Sequence, residues 1–169
     1  MSRIAKFFLK LLLWGLAGIL AIALVFATVC VVLHATADLD EPEFSPTDGN
    51  AEIVSDSLRR WKDNALRINA DGLWEMKVSG SAFERGEAIG KLAPDLLYIQ
   101  EKAFTDKLFE MVPSKRYRDF LHYFITIFNR RLGQSVPLEY RQEIKGMSAS
   151  CTHEFDDFGN PYERQMQYH

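Results

Sequence analysis

The chain has 169 residues, with 20 Lys or Arg against 23 Asp or Glu, and a formal net charge of −3. Arg3, Lys6 and Lys10 are the only charged residues before Asp38, so the remainder is distinctly acidic. A nucleic-acid-binding surface needs clustered positive charge to replace phosphate counterions, and this composition argues against one. After the apolar N-terminus, about 130 residues remain, enough for one modest domain.

Residues 1–37 form a basic tip followed by an apolar segment. No charge occurs from Leu11 to Leu33. A helix of that length would span ~34 Å, enough to cross a ~30 Å hydrocarbon layer. Basic residues precede it and acidic ones follow, so the positive-inside rule predicts a cytoplasmic N-terminus and an extracytoplasmic C-terminal part. A lipid bilayer is therefore the first partner that the sequence predicts.

A cleavable signal peptide is the alternative for the same segment. Its apolar core would be about 7–15 residues long, which is shorter than the run observed. Ala35-Thr36-Ala37 nevertheless fits the small-residue pattern of a cleavage site. Both possibilities stay open, with the uncleaved anchor favoured by length.

Three short segments follow the anchor. Residues 38–50 combine acids with Pro42, Pro46 and Gly49, which predicts an extended, mobile tether. Apolar residues at helical spacing then predict a short helix, namely Val54, Leu58, Trp61 and Leu66. Residues 73–78 alternate, which predicts one strand with Trp74, Met76 and Val78 on the same face. A single strand cannot satisfy its own backbone, so we expect its pairing partners to come from outside this chain.

Residues 51–169 otherwise read as helices separated by proline and glycine. Ser81 and Glu84 form a capping box, and Gly86 and Gly90 lie on one face of the helix that it starts. A second helix is predicted from Pro94 to about Met111, with Leu97, Phe104 and Leu108 on one side. Ser114 caps a helix that ends at Gly133, and Pro137 opens a last helix with Tyr140, Ile144 and Met147 facing inward. The helix that begins at Ser114 carries an aromatic stripe at helical spacing, which predicts a face buried in the core. Its members are Tyr117, Phe120, Leu121, Phe124, Ile127 and Phe128.

Two groups invite a chemical interpretation. Cys151 is followed by His153, and a thiolate beside an imidazole is a known nucleophile arrangement, although neighbours in sequence rarely achieve the geometry. A small buried thiol is the favoured interpretation. The acids Glu154, Asp156 and Asp157 lack the spacing of a calcium loop, so a solvated acidic loop is favoured over a cation site. Cys30 and Cys151 are too differently placed to pair, and no cofactor or metal is predicted.

Two further elements carry a family resemblance. VSGSAFERGEAIG at 78–90 and YRQEIKGMSAS at 140–150 resemble the N-terminal part of the acyl-coenzyme A:isopenicillin-N acyltransferase family of autoproteolytic N-terminal-nucleophile hydrolases. The first matches the pattern G-[ST]-x-[FY]-E-x-G-x-x-x-G through Gly80, Ser81, Phe83, Glu84, Gly86 and Gly90. The second matches E-[IL]-x-G-[IM]-[SA] through Glu143, Ile144, Gly146, Met147 and Ser148.

The resemblance implies an α+β class, with the anchor followed by a mostly helical fragment of an αββα sandwich. It also implies a precursor that cuts itself before a cysteine, whose thiolate and α-amine then act on amides or acyl donors. This sequence has no Gly-Cys step, because Cys151 follows Ser150. We therefore assign no catalytic residue, and expect the nucleophile and the catalytic segment beyond His169. The helix of Gly86 and Gly90 is expected to pack on the sheet.

Three functions stay open at this point. The first is the N-terminal part of a membrane-anchored acyltransferase or linear-amide hydrolase, inactive alone. The second is a membrane-anchored helical module that binds a protein partner without catalysis. The third, which the sequence favours least, is an enzyme that uses Cys151.

Overall fold

A computed structural model describes residues 3–168 as an α+β chain that is mostly helical. The strands are β1 (Glu52–Ser55), β2 (Leu58–Trp61), β3 (Asn64–Ile68) and β4 (Trp74–Lys77). The helices are α1 (Arg3–Ala35), α2 (Ala82–Leu92), α3 (Pro94–Met111), α4 (Lys115–Asn129), α5 (Leu132–Ser135), α6 (Leu138–Ser148) and α7 (Pro161–Tyr168). A 3₁₀ turn at Asp156–Phe158 precedes α7.

Helix α1 stands apart from the rest of the fold. It has 33 residues, is long and apolar enough to cross a membrane, and buries none of its most apolar stretch against the protein. Only its last turn approaches the domain, where the ring of His34 stacks on Tyr123 of α4 with centroids 4.4 Å apart. By length and composition α1 is a candidate membrane-spanning helix near the N-terminus.

The segment from 52 to 77 is a four-stranded antiparallel meander in the order β1-β2-β3-β4. The predicted strand at 73–78 is confirmed as β4, but the helix predicted through Val54 and Leu58 is wrong. Turn residues explain the error, since Lys62 adopts φ 53° between β2 and β3 and Gly72 adopts φ 80° before β4. Such turns break the chain too often for a helix. The expectation that β4 must pair outside this chain is also wrong, because β3 pairs with it.

The two faces of the sheet differ sharply. Trp61 and Leu66 are buried, and Met76 and Val78 pack against the same core, as predicted for the apolar face of β4. The cross-strand row on the other face joins residues that are almost all charged, namely Glu52, Arg60, Ala65 and Lys77. In an αββα sandwich, each sheet is covered by helices on one face and by the second sheet on the other. The charged face of this sheet is instead exposed to solvent. The stacked second sheet is not formed among residues 3–168.

Helix α2 lies between the sheet and α6. Its buried Ala88 and Leu92 pack on Trp61 and Leu66, so one face completes the core of the sheet. Glu84 accepts a hydrogen bond from the backbone N–H of Ser81 at 2.7 Å, which supports the predicted cap and lowers the pKa of Glu84. The helix of Gly86 and Gly90 thus packs on the sheet as predicted, while the glycines themselves face α6.

Helices α3 and α4 begin where the sequence predicts. Pro94 occupies the first turn of α3, and the Ser114 side chain accepts a hydrogen bond from the Tyr117 N–H at the start of α4. Helix α4 ends at Asn129, before the predicted Gly133. The predicted faces are wrong over much of this region, because the following apolar side chains are exposed: Phe104, Met111, Tyr117, Phe120, Phe128 and Tyr140. Of the aromatic stripe, Ile127 is buried, and Leu121 and Phe124 are half-buried.

The segment 38–50 is extended, but it is attached to the domain along its length. A side chain on Gly133 would collide with the backbone of Leu39, so this glycine allows the two segments to touch. Arg141 donates to the Asp40 carbonyl at 2.7 Å, and Lys145 forms an ion pair with Glu41. Lys91 donates to the Gly49 carbonyl at 2.6 Å. These contacts are not those of a free tether, and they correct that expectation.

Candidate functional site

The two sequence elements that carry the family resemblance meet in the fold as the α2–α6 helix pair. A Cβ atom on Gly86 would collide with the backbone of Glu143, and one on Gly146 would collide with the backbone of Phe83. A Cβ on Gly90 would lie 2.9 Å from the Met147 carbonyl oxygen. Glycine at these positions therefore lets the two backbones touch, at a cost in helix propensity of ~1 kcal/mol each.

Charged side chains join the same helices at one edge. The Arg85 guanidinium lies 2.8 Å from carboxylate oxygens of both Glu139 and Glu143. Its hydrogen bonds with Glu139 and then Glu143 raise the pKa of Arg85. This fork links α2 and α6 at the edge of their contact, where solvent screens it.

An apolar groove of about 330 Å³ opens beside the helix pair. Its lining residues are Ile89, Val136, Tyr140, Glu143, Ile144, Met147 and Met166. The only charged lining group is Glu143, which is already paired with Arg85. The groove offers space for an apolar group and lacks the cluster of convergent polar groups that chemistry requires.

A buried polar cluster that was not predicted from the sequence connects α7 to α3. Arg164 is 1% exposed, and its Nε lies 3.1 Å from Oε1 of the fully buried Glu101. The guanidinium also donates to Asp156 at 2.7 Å and to the Gly159 carbonyl at 2.9 Å. Gln165 donates to the same Glu101 oxygen at 3.1 Å. These bonds outweigh the effect of burial, and the pKa of Arg164 is raised.

One oxygen in this cluster has no partner among the described residues, the Oε2 of Glu101. A buried acceptor without a donor is costly, so this atom is the weakest point of the network. The sequence contains only a weak indication that Glu101 is buried. Glu101 follows Leu97 by four residues and so shares its buried face, but a charged residue in that position contradicts the usual pattern.

Cys151 lies beside this cluster and has the properties of a structural thiol. Burial, followed by the nearby charge of Glu101, raises the pKa of Cys151 to about 12. Gln165 donates to its sulfur at 3.5 Å. A thiol with so high a pKa is protonated at neutral pH and is a poor nucleophile. The favoured sequence interpretation of Cys151 agrees with this environment.

The acidic segment after Cys151 is folded around Arg164. His153 is largely exposed, and its Nδ1 lies 2.9 Å from Asp156, so its observed partner is an acid and not the thiol. Asp156 in turn pairs with Arg164, and these hydrogen bonds lower the pKa of Asp156 despite the opposing effect of burial. The segment is a turn-rich loop ahead of α7 in which Glu154, Asp156 and Asp157 are exposed, as expected for a solvated acidic loop.

A comparison of the chain with protein-family models, curated proteins and solved structures gives no match. The family resemblance therefore rests on the two motifs alone. What the structure adds is their relation in space, because the matched glycines of both motifs lie in one helix–helix contact.

Proposed function

We propose that this chain is the N-terminal part of a membrane-anchored autoproteolytic acyltransferase or linear-amide hydrolase. Its role is to build the α2–α6 pair and the sheet that α2 covers, while the nucleophilic cysteine comes from chain beyond residue 169. By itself this part carries no catalytic residue. The observation that carries the proposal is the packing of the two matched elements against each other through their glycines.

That observation matters because the two elements are separated by about fifty residues of unrelated sequence. Gly86 and Gly146 each allow the backbone of the other helix to approach, so both motifs are needed for one contact. Residues that form a motif for packing reasons often do so in pairs of this kind. One helix–helix contact therefore accounts for the glycines of both motifs.

Strands from further chain have two edges of the sheet to pair with. Strands β1 and β4 lie at the two ends of the sheet order, and each has one unpaired edge among the described strands. The charged far face of the sheet would resist a second sheet stacked on it, since burying its charges without partners is costly. Any extension of this sheet would therefore use backbone pairing along β1 or β4.

The proposal includes a topology in which residues after Asp38 lie outside the cytoplasm. The support is the charge asymmetry across α1, with Arg3, Lys6 and Lys10 on one side and Asp38 and Asp40 on the other. An enzyme reporter that is active only outside the cytoplasm, fused after His169, tests it. We expect activity there, and activity of a cytoplasm-only reporter at the same position would contradict the topology.

Sequencing the gene beyond codon 169 tests the catalytic part of the proposal. We expect an open reading frame that contains a Gly-Cys step followed by alternating apolar strands. A stop codon after His169, or a frame without such a cysteine, would contradict the proposal.

A second function competes with the first, a membrane-anchored module that binds a partner through apolar surfaces. The observation that favours it is the sheet, whose four strands pair within the chain and so remove the need for strands from elsewhere. The apolar groove beside α6 also suits a partner side chain. The same reading frame separates the two functions, because this module predicts no downstream nucleophile.

A further inference from the structure

Three aromatic side chains of helix α4 face outward, while Ile127 of the same stripe is buried. Four aromatic residues recur along it at helical spacing, Tyr117, Phe120, Phe124 and Phe128. Tyr117 and Phe120 are 53% and 54% exposed, and Phe128 is 79% exposed. On the inner side, His122 instead faces Glu163 of α7. A soluble domain normally orients such a helix the other way, so this aromatic face needs a cover.

The position of α4 relative to α1 limits what that cover can be. Tyr123 stacks on His34, which follows Leu33, the last residue of the uncharged run. Tyr123 is thus at the boundary where α1 would leave the hydrocarbon layer. Phe120 and Phe128 are three and five residues away, which is roughly 5 and 8 Å along the α4 axis. With α4 close to parallel to the membrane plane, its aromatic face lies at the depth of the lipid headgroups.

The basic residues in and next to α4 support the same location, at the membrane interface. Between Lys115 and Arg131 there are five Lys or Arg residues and one acid, Asp119, in a part of the chain that is otherwise acidic. Asp119 is paired with Lys115 at 2.9 Å. Arg116, Arg130 and Arg131 flank the two ends of the aromatic face. Basic residues attract anionic headgroups, and aromatic rings are preferred at the membrane interface.

We propose that α4 is an interfacial helix, with the Tyr117–Phe128 aromatic face lying in the headgroup region of the bilayer that α1 crosses. The domain would then be held against the membrane at two points, and its orientation would be fixed. This inference rests on the membrane-spanning role of α1 in the proposed function. It is independent of whether the chain belongs to an acyltransferase.

Site-directed spin labelling of the full chain tests this. Single cysteines are introduced as Phe128→Cys, Ile53→Cys and Ile22→Cys after Cys30→Ala and Cys151→Ala, with reconstitution into phosphatidylcholine–phosphatidylglycerol vesicles. Ile53 is a matched control, 73% exposed on β1, and Ile22 is 72% exposed in the middle of α1. Collisions of the label with oxygen report lipid, and collisions with a water-soluble nickel complex report water.

We expect the oxygen preference of the label at position 128 to lie between that at position 22, in the middle of the hydrocarbon layer, and that at position 53, where nickel is favoured. Equal nickel access at 128 and 53 would overturn the inference, and so would a label at 128 that is shielded from both probes, which would indicate a protein partner. Nickel access at position 22 would instead refute the membrane-spanning role of α1. If circular dichroism shows that Cys151→Ala disturbs the fold, the native Cys151 is kept, since its buried thiol resists labelling.

Discussion

Two of the contacts between the helices of the domain are built in opposite ways. Between α2 and α6, Gly86 and Gly146 remove side chains so that backbones touch. Between α3 and α7, large charged side chains are buried, with Arg164 reaching Glu101 and the turn before α7. The first contact depends on shape and tolerates no added atom. The second depends on hydrogen bonds and tolerates no lost partner.

The difference governs how each contact should fail. An added methyl group at a glycine contact forces the helices apart by a small distance, and the cost follows from that movement. Removal of one member of a buried ion pair leaves the other charged and unpaired in a poorly solvated site. Variants at the two contacts should therefore differ in how much they lower the free energy of unfolding. They should also differ in which second substitution restores it.

The largest effect is expected at the polar contact. Arg164→Met should lower the free energy of unfolding by about 3–5 kcal/mol, because Glu101 is left without its charged partner. The measurement is chemical denaturation followed by the fluorescence of Trp61 and Trp74. The double variant Glu101→Met with Arg164→Met should be more stable than Arg164→Met alone. A loss below about 1 kcal/mol for Arg164→Met would contradict this description of the cluster.

Cys151 reports on the same region by its reactivity. Because burial raises its pKa to about 12, alkylation at pH 8 should be about a thousandfold slower in the folded chain than for a thiol of ordinary pKa. The rate is measured with iodoacetamide in a Cys30→Ala background, with the denatured chain as control. Equal rates in the two states would contradict the buried site and would revive Cys151 as a nucleophile.

The glycine contact should respond more moderately. Gly86→Ala should destabilise the domain by about 1–3 kcal/mol, because the new methyl meets the backbone of Glu143. Gly18→Ala is the matched control, a helical glycine with nothing within 4 Å. Thermal unfolding of both variants gives the comparison. A stabilising effect of Gly86→Ala, as helix propensity alone predicts, would mean that the helices are not in backbone contact.

The smallest effect should come from the charged edge of the same contact. Arg85→Gln should shift the denaturation midpoint less than Gly86→Ala does, because the pair with Glu139 and Glu143 is screened by solvent. Added salt should reduce the difference between Arg85→Gln and the unmodified chain. If Arg85→Gln proves more harmful than Gly86→Ala, electrostatics and not backbone fit holds the pair.

These contacts also show what the sequence could reveal. The glycine contact left a signature, because glycine inside a helix is unfavourable and two on one face require a reason. The caps at Ser81 and Ser114 were equally visible, since they depend on residues close in sequence. The Glu101–Arg164 pair left none, because 63 residues separate its members and each alone resembles a surface charge.

The meander from 52 to 77 was missed for a different reason. Val54, Leu58 and Trp61 are spaced as in a helix, while the evidence for strands lies in the turns at Lys62 and Gly72. The aromatic face of α4 was misassigned because periodicity identifies an apolar face without saying what covers it. In this chain the core covers only part of that face, where Ile127 is buried, while Tyr117, Phe120 and Phe128 are exposed.

The central claim is self-cleavage of a precursor to which these residues contribute the N-terminal part. The most direct measurement is a time course of intact mass for the purified product of the full reading frame. We expect one cut immediately before a cysteine downstream of residue 169, and none when that cysteine is replaced by alanine. A frame that encodes such a cysteine but yields a product of constant mass would contradict the claim.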